Sequence, residues 1–153
     1  MSKWFKELTG PGSKTAERMA ILRAKESMKP DDEQICFDPY AIHFISPSIL
    51  EWAARNPEEV RAMQERTERL VPGLDNSIIA RVRYFDDFIS RSIDDGMEQL
   101  VILGAGYDSR PYRIDGLKKI RSFEVDHPAT QAVKIRGAST GWTRAVAIIE
   151  DED

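Results

Sequence analysis

Apolar residues in this chain follow two different periods. Ile78, Val82, Phe85, Ile89 and Ile93 recur at steps of four, three, four and four, which predicts an amphipathic helix with one buried stripe. Asp75 or Ser77 can cap its start, and Asp94-Asp95-Gly96 ends it. Taking about 100° per residue, Arg81 lies at the edge of the stripe and Arg83 on the polar side. An arginine at such a border can run its stem along the core and aim its guanidinium into a crevice. Arg81 is therefore the better ligand candidate. The period then changes. Residues 100–103 form a short apolar run rich in β-formers, the pattern of a strand buried on both faces. Residues 120–125 form a second such run, and residues 142–149, with Ala145 to Ile149 as the apolar part, predict a third strand.

Upstream of these runs the punctuation is proline. Ser13 or Thr15 can cap a helix running to about residue 28, which Lys29-Pro30-Asp31-Asp32 terminates. Asp38-Pro39, Ser46-Pro47 and Asn56-Pro57 then each pair an N-cap residue with proline at the first helical position, where a missing N–H costs nothing. Three short helices are expected. Glu58 and Glu59 suit the dipole of the third, and its polar face from Arg61 to Arg69 reads as solvated surface. Pro128 should start a last helix, capped by Asp126 or His127 and reaching about Ile135. Residues 1–12 form an arm ending in Gly10-Pro11-Gly12, residues 137–141 a loop, and residues 150–153 a charged tail.

The chemistry concentrates between the first two strands. The first ends at Gly104-Ala105-Gly106, where two positions without a Cβ let the backbone turn sharply and approach a ligand. The second closes on Asp126, twenty residues after Gly106, about the spacing at which a nucleotide-binding βαβ unit places a carboxylate on a ribose. This predicts a nucleoside-cofactor site without saying which cofactor. A dinucleotide fingerprint wants a third glycine, so that a pyrophosphate can sit on a tightly packed helix N-terminus. Here that position is Ser109, followed by Arg110 and Pro111, and the helix after the turn looks short and broken. NAD(P) therefore fits poorly. S-adenosylmethionine carries no phosphate and tolerates the substitution better; it needs a ribose acceptor, close backbone, and a cation for its carboxylate.

Composition narrows the classes further. The 153 residues suffice for one domain with a core. With 22 Lys plus Arg against 26 Asp plus Glu and no basic run, nothing points to nucleic acid. No apolar run approaches the roughly 18 residues of a membrane span, and the first residues hold no signal-peptide core. A single cysteine, Cys36, fits a reducing cytoplasm and reads as a buried small hydrophobe. His43 and His127 are the only histidines, with no ligand-spaced cluster, so no metal site is expected. Trp4, Trp52, Tyr84 and Phe85 read as core or interface aromatics.

Five ordered blocks carry a family resemblance: Ser13-Lys14-Thr15-Ala16-Glu17 with Arg23-Ala24, Phe37-Asp38-Pro39, residues 80–87, residues 103–110, and residues 123–128. Over residues 13–135 the chain resembles the leucine carboxyl methyltransferase-like family of S-adenosylmethionine-dependent methyltransferases, particularly its bacterial and archaeal O-methyltransferase branch. The resemblance implies that Arg81 binds the methionine carboxylate. It implies that Gly104, Ala105 and Gly106 bring backbone to the methionine part, and that Asp126 accepts from the ribose hydroxyls. Lys14 aligns loosely with a basic residue that contacts the cofactor, whereas Asp108 reads as a turn residue. No catalytic residue or base is assigned.

The implied fold is α/β. An N-terminal helical region, 1–74, precedes residues 75–153, which form the first half of a Rossmann-like doubly wound sheet of the class I methyltransferase type. In the family the chain continues well beyond this, completing a seven-stranded sheet and carrying the adenine contacts and most of the acceptor pocket; residues 136–153 do not look like that continuation. The chain is thus expected to be truncated or divergent. Its bare parallel edge would favour a homo-oligomer. The function classes left open are an O-methyltransferase acting on a small-molecule carboxylate or hydroxyl, a catalytically silent half-domain that self-associates or binds a partner, and an NAD(P)-dependent reductase.

Overall fold

The computed structural model describes residues 12–137 and 146–148. Helix α1 spans Lys14–Glu26, with Ser13 as its N-cap: the Ala16 N–H donates to Ser13 Oγ at 3.2 Å. After a short 3-10 turn at Asp31–Glu33 comes a second at Ala41–Phe44. Helices α2 (Pro47–Arg55), α3 (Pro57–Leu70) and α4 (Leu74–Asp94) follow in close succession. Strand β1 (Gln99–Leu103) leads through the glycine turn to a four-residue helix α5 (Arg110–Arg113) and a 3-10 stretch, Asp115–Lys119. Strand β2 (Arg121–Asp126), helix α6 (Pro128–Gly137) and strand β3 (Val146–Ile148) complete the described chain. Gly137, expected to open a loop at 137–141, instead ends α6; the rest of that loop, the terminal arm before residue 12 and the charged tail lie outside the described residues.

The strands form one parallel sheet in the order β1-β2-β3. Gln99 pairs with Arg121 and Leu103 with Val125, and Asp126 pairs with Ile148. The two motif-bearing strands are therefore adjacent and end together. The main apolar cluster lies under α1, where Ala20, Ala24, Ala41, Phe44, Ile45, Ile49 and Tyr107 are buried together. Tyr107, the residue after the glycine turn, stacks on Phe44 with ring centroids 5.4 Å apart. A smaller cluster joins Cys36 to Ile79 and Val82 of α4, and burial pushes the Cys36 thiol up to about 11. No helix among the described residues is long and apolar enough to cross a membrane.

Several expectations need correction. Asp38-Pro39 starts no α-helix. The Asp38 carboxylate accepts from the Tyr40 and Ala41 N–H groups, both at 3.1 Å, and closes a tight turn instead. Pro47 then holds Ser46 extended, at ψ 133°, so that no helix can grow past Ile45. Ser46 and Asn56 precede real helices but make no side-chain cap; the Asn56 amide donates back to the Trp52 carbonyl at 2.7 Å. Helix α4 starts earlier than Asp75 or Ser77, directly after Gly73 at φ 73°, and Ser77 Oγ turns back to the Leu74 carbonyl. Its buried stripe is Ile79, Val82 and Ile89, while Phe85 is 44% exposed.

Strand β1 is not buried on both faces. Val101 and Leu103 are 51% and 76% exposed, whereas Leu100 and Ile102 are half-buried. β1 is an edge strand of the described sheet, and the alternation shows the described elements covering one of its faces.

Candidate functional site

A cavity of about 340 Å³ opens where α1, α4 and the glycine turn meet. Arg81, Gly104, Ala105, Gly106 and Asp126 all line it. Lys14 does not, although Ser13 and Thr15 on either side of it do.

The turn is built from two left-handed glycines, Gly104 at φ 62° and Gly106 at φ 50°, a conformation that L side chains resist. Gly106 meets a second demand as well. A Cβ there would lie 3.1 Å from the Ala16 Cβ, so the missing side chain is what lets α1 pack on the turn. The turn is pinned to β2 twice: the Ala105 N–H donates to the Val125 carbonyl at 3.2 Å, and the Gly106 N–H to Asp126 Oδ2 at 2.5 Å. The second carboxylate oxygen of Asp126 accepts from the His127 N–H at 2.6 Å. A carboxylate offers about four acceptor positions, so two remain on a half-buried side chain facing the cavity. His127 takes the cap of α6, its Nδ1 accepting from the Ala129 N–H at 3.1 Å.

Four arginines line the cavity: Arg23, Arg81, Arg110 and Arg113. Arg23 is paired with Asp38 at 2.7 Å, Arg110 with Asp86 and Asp108 at 2.8 and 2.6 Å, and Arg113 with Asp86 at 2.7 Å. Arg81 has no ion-pair partner among the described residues. Arg83, on the polar side of the same helix, is engaged by Asp87 at 2.8 Å and does not line this cavity. Asp108 behaves as a turn residue: it accepts from the backbone N–H of Arg110 at 2.9 Å and from its guanidinium. Burial works against its charge, but the Arg110 cation and N–H outweigh it and hold the carboxyl below the usual range. Burial likewise opposes the Arg110 charge, and Asp108 and Asp86 overcome it and raise its pKa.

Sequence reasoning left the second tier of this site unassigned. Asp38 is fully buried and satisfied on both oxygens: Arg23 Nε and Ser109 Oγ donate to Oδ2, and the two backbone groups described above donate to Oδ1. Arg23 also reaches the Tyr107 carbonyl at 2.6 Å. Two separated blocks, around Arg23 and Asp38, thus clasp the far end of the glycine turn. The available signal was Ser109 itself, a hydroxyl where a dinucleotide fingerprint has glycine.

The family model for leucine carboxyl methyltransferase matches residues 16–141. Among curated proteins, one from Mycolicibacterium paratuberculosis named "Putative S-adenosyl-L-methionine-dependent methyltransferase" is 34% identical over 80% of this chain and 40% of its own. Proteins of the same description from Frankia alni and Mycobacteroides abscessus are 37% and 36% identical, over 74% and 82% of this chain and 38% and 41% of theirs. The chain spans about two fifths of the length of these relatives.

Proposed function

The chain belongs to the leucine carboxyl methyltransferase family, and from that premise we propose that it binds S-adenosylmethionine in the cavity between α1, α4 and the glycine turn. The observation that carries this reading is the charge pattern of the cavity wall: of the four arginines that line it, Arg81 is the one with no carboxylate partner among the described residues. An unneutralised guanidinium suits a carboxylate ligand, bound bidentately. The donor set fits the rest of the cofactor too. Gly104, Ala105 and Gly106 would lie along the methionine part, the two glycines offering main chain without a side chain, and the spare acceptor positions of Asp126 would take ribose hydroxyls. Lys14, flanked by the lining residues Ser13 and Thr15 but not itself in the lining, remains an outer contact at most.

When bound, S-adenosylmethionine supplies an electrophilic methyl group on a sulfonium with its own leaving group. The protein's share is then to fix orientation and exclude water, and a carboxylate acceptor needs no base. We assign the acceptor as a small-molecule oxygen nucleophile, a carboxylate or a hydroxyl. The same reading makes residues 75–153 the first part of a Rossmann-like domain and residues 1–74 its helical cap, within a longer fold in a cytoplasmic protein. Against NAD(P) stands α5: four residues long and led by a buried serine, it has no helix N-terminus for a pyrophosphate.

Titration calorimetry of the whole chain with S-adenosylmethionine, S-adenosylhomocysteine and NAD tests this. The first two should bind and NAD should not. Arg81→Ala and Asp126→Ala should each weaken binding by about 10- to 100-fold, the worth of a hydrogen-bonded charge. Absence of binding by both adenosyl ligands, or indifference to both substitutions, would refute it. A second reading, a silent half-domain that self-associates, is favoured by the exposed Val101 and Leu103 on outer strand β1. Sedimentation should then show a dimer that Leu103→Lys dissolves.

A further inference from the structure

We infer that Ser109 is a positioning residue for the amino-acid end of the ligand, the joint through which both walls of the cavity are tied to the glycine turn; this rests on the cofactor reading above. Ser109 is 1% exposed and uses its hydroxyl in both directions. It donates to Asp38 Oδ2 at 2.6 Å and accepts from Arg113 Nε at 3.2 Å.

Each of those partners leads to a different wall. On one side, Asp38 holds Arg23 of α1, which in turn holds the Tyr107 carbonyl at the end of the turn. On the other, Arg113 Nη2 donates to Asp86 Oδ1 at 2.7 Å, and Asp86 also holds Arg110 at 2.8 Å. Asp86 sits on α4, five residues after Arg81. The chain of charge-assisted bonds therefore runs from α1 through Ser109 to the helix that carries Arg81. Arg81 is exposed and has no partner of its own among the described residues, so α4 sets the point from which its side chain reaches the ligand.

Asp126 lies outside this network. It is held by β2 pairing and by the Gly106 and His127 N–H groups. The two ends of the ligand are thus positioned by separate means, and removal of the Ser109 hydroxyl should disturb only one of them. It would take one of two donors from buried Asp38 Oδ2 and leave Arg113 Nε without its acceptor, letting α4 and the turn drift relative to each other.

The test compares two ligands on the whole chain by calorimetry. S-adenosylhomocysteine has both ends, while 5′-methylthioadenosine keeps the ribose and lacks the amino acid. In Ser109→Ala, affinity for S-adenosylhomocysteine should fall about tenfold, the loss of one charge-assisted hydrogen bond. Affinity for methylthioadenosine should stay within about twofold, less than the worth of one neutral hydrogen bond. Arg113→Lys, which keeps the charge beside Asp86 but loses the fork that also reaches Ser109, should reproduce the selective loss if Ser109→Ala does not fold. Equal weakening of both ligands, or no change in either, would overturn the inference. If the unaltered chain binds neither ligand, the cofactor reading itself has failed and takes the inference with it.

Discussion

Gly106→Ala separates two physical demands that meet at one residue. The first is conformational: at φ 50° an alanine sits in the left-handed region, at a cost of about 1–2 kcal/mol. The second is steric. The new methyl would stand 3.1 Å from the Ala16 Cβ, with the Ala16 Cα at 4.0 Å, against about 3.5–4.0 Å for a relaxed carbon contact. Helix α1 must give by a few tenths of an ångström, and overpacking of this kind costs about 1–3 kcal/mol. Gly104→Ala is the internal control: φ is 62°, yet nothing lies within 4 Å of its would-be Cβ. It should show the conformational cost alone. Urea unfolding should therefore place Gly104→Ala about 1–2 kcal/mol below the parent and Gly106→Ala at roughly twice that. Ala16→Gly in the Gly106→Ala background removes the clash but not the strain. Its own helix cost of up to about 1 kcal/mol cancels in a double-mutant cycle. The coupling should be favourable by about 1 kcal/mol. Equal costs for the two glycines, or a cycle that closes additively, would refute the account of α1 resting on the turn.

Two further outcomes follow from buried charges. Asp108 titrates below its ordinary range when folded, so the unfolded chain binds more protons in the acid window. Its stabilisation is complete above about pH 4 and is lost as pH falls through the depressed folded value. Asp108→Asn should shrink the stability difference between neutral and acid pH in denaturant titrations, and an unchanged acid limb would contradict the pairing with Arg110. Lys134 Nζ and Glu124 Oε1 lie 2.7 Å apart with side chains 1% and 5% exposed, and burial, ahead of the opposing Lys134 charge, pushes the Glu124 carboxyl up. Lys134→Met should cost about 3–5 kcal/mol at neutral pH by stranding the carboxylate, while Lys134→Met with Glu124→Leu should be near neutral. A raised folded value means that the Glu124 share of stability is lost as pH rises through it, so the Lys134→Met penalty should ease in acid. A penalty independent of pH would count against it.

What the chain discloses in advance is local. The turn is legible because Gly104 and Gly106 are read one residue at a time, and because a β-former run must stop where they stand. Pro47 and Pro57 announce α2 and α3 for the same reason: a fixed φ and a missing N–H act on the residue itself. Asp38-Pro39 carries the identical local signal and yields only a 3-10 turn: one Asp38 oxygen takes the Tyr40 and Ala41 N–H groups, and the other goes to Arg23 and Ser109, 15 and 71 residues away. No window of sequence weighs such partners. The strand at 100–103 is located correctly, but its two faces are misjudged, since burial depends on what covers a strand and not on its own composition.

The same distinction explains why glycine spacing could frame the site and still leave the cofactor class open. In a dinucleotide fingerprint the third glycine lets a long helix close on the strand and present its N-terminal N–H groups, so spacing and ligand are one statement. Here α5 is four residues long, Ser109 is spent on Asp38 and Arg113, and the cations around the cavity are all side chains. Which of those cations is available depends on which are already neutralised. Asp38, Asp86 and Asp108 consume Arg23, Arg110 and Arg113, and no carboxylate among the described residues reaches Arg81. The charge left over is thus a property of the packed structure, decided by subtraction. A ligand that needs one cation and one ribose acceptor matches that remainder, and a pyrophosphate, which needs a helix terminus, does not.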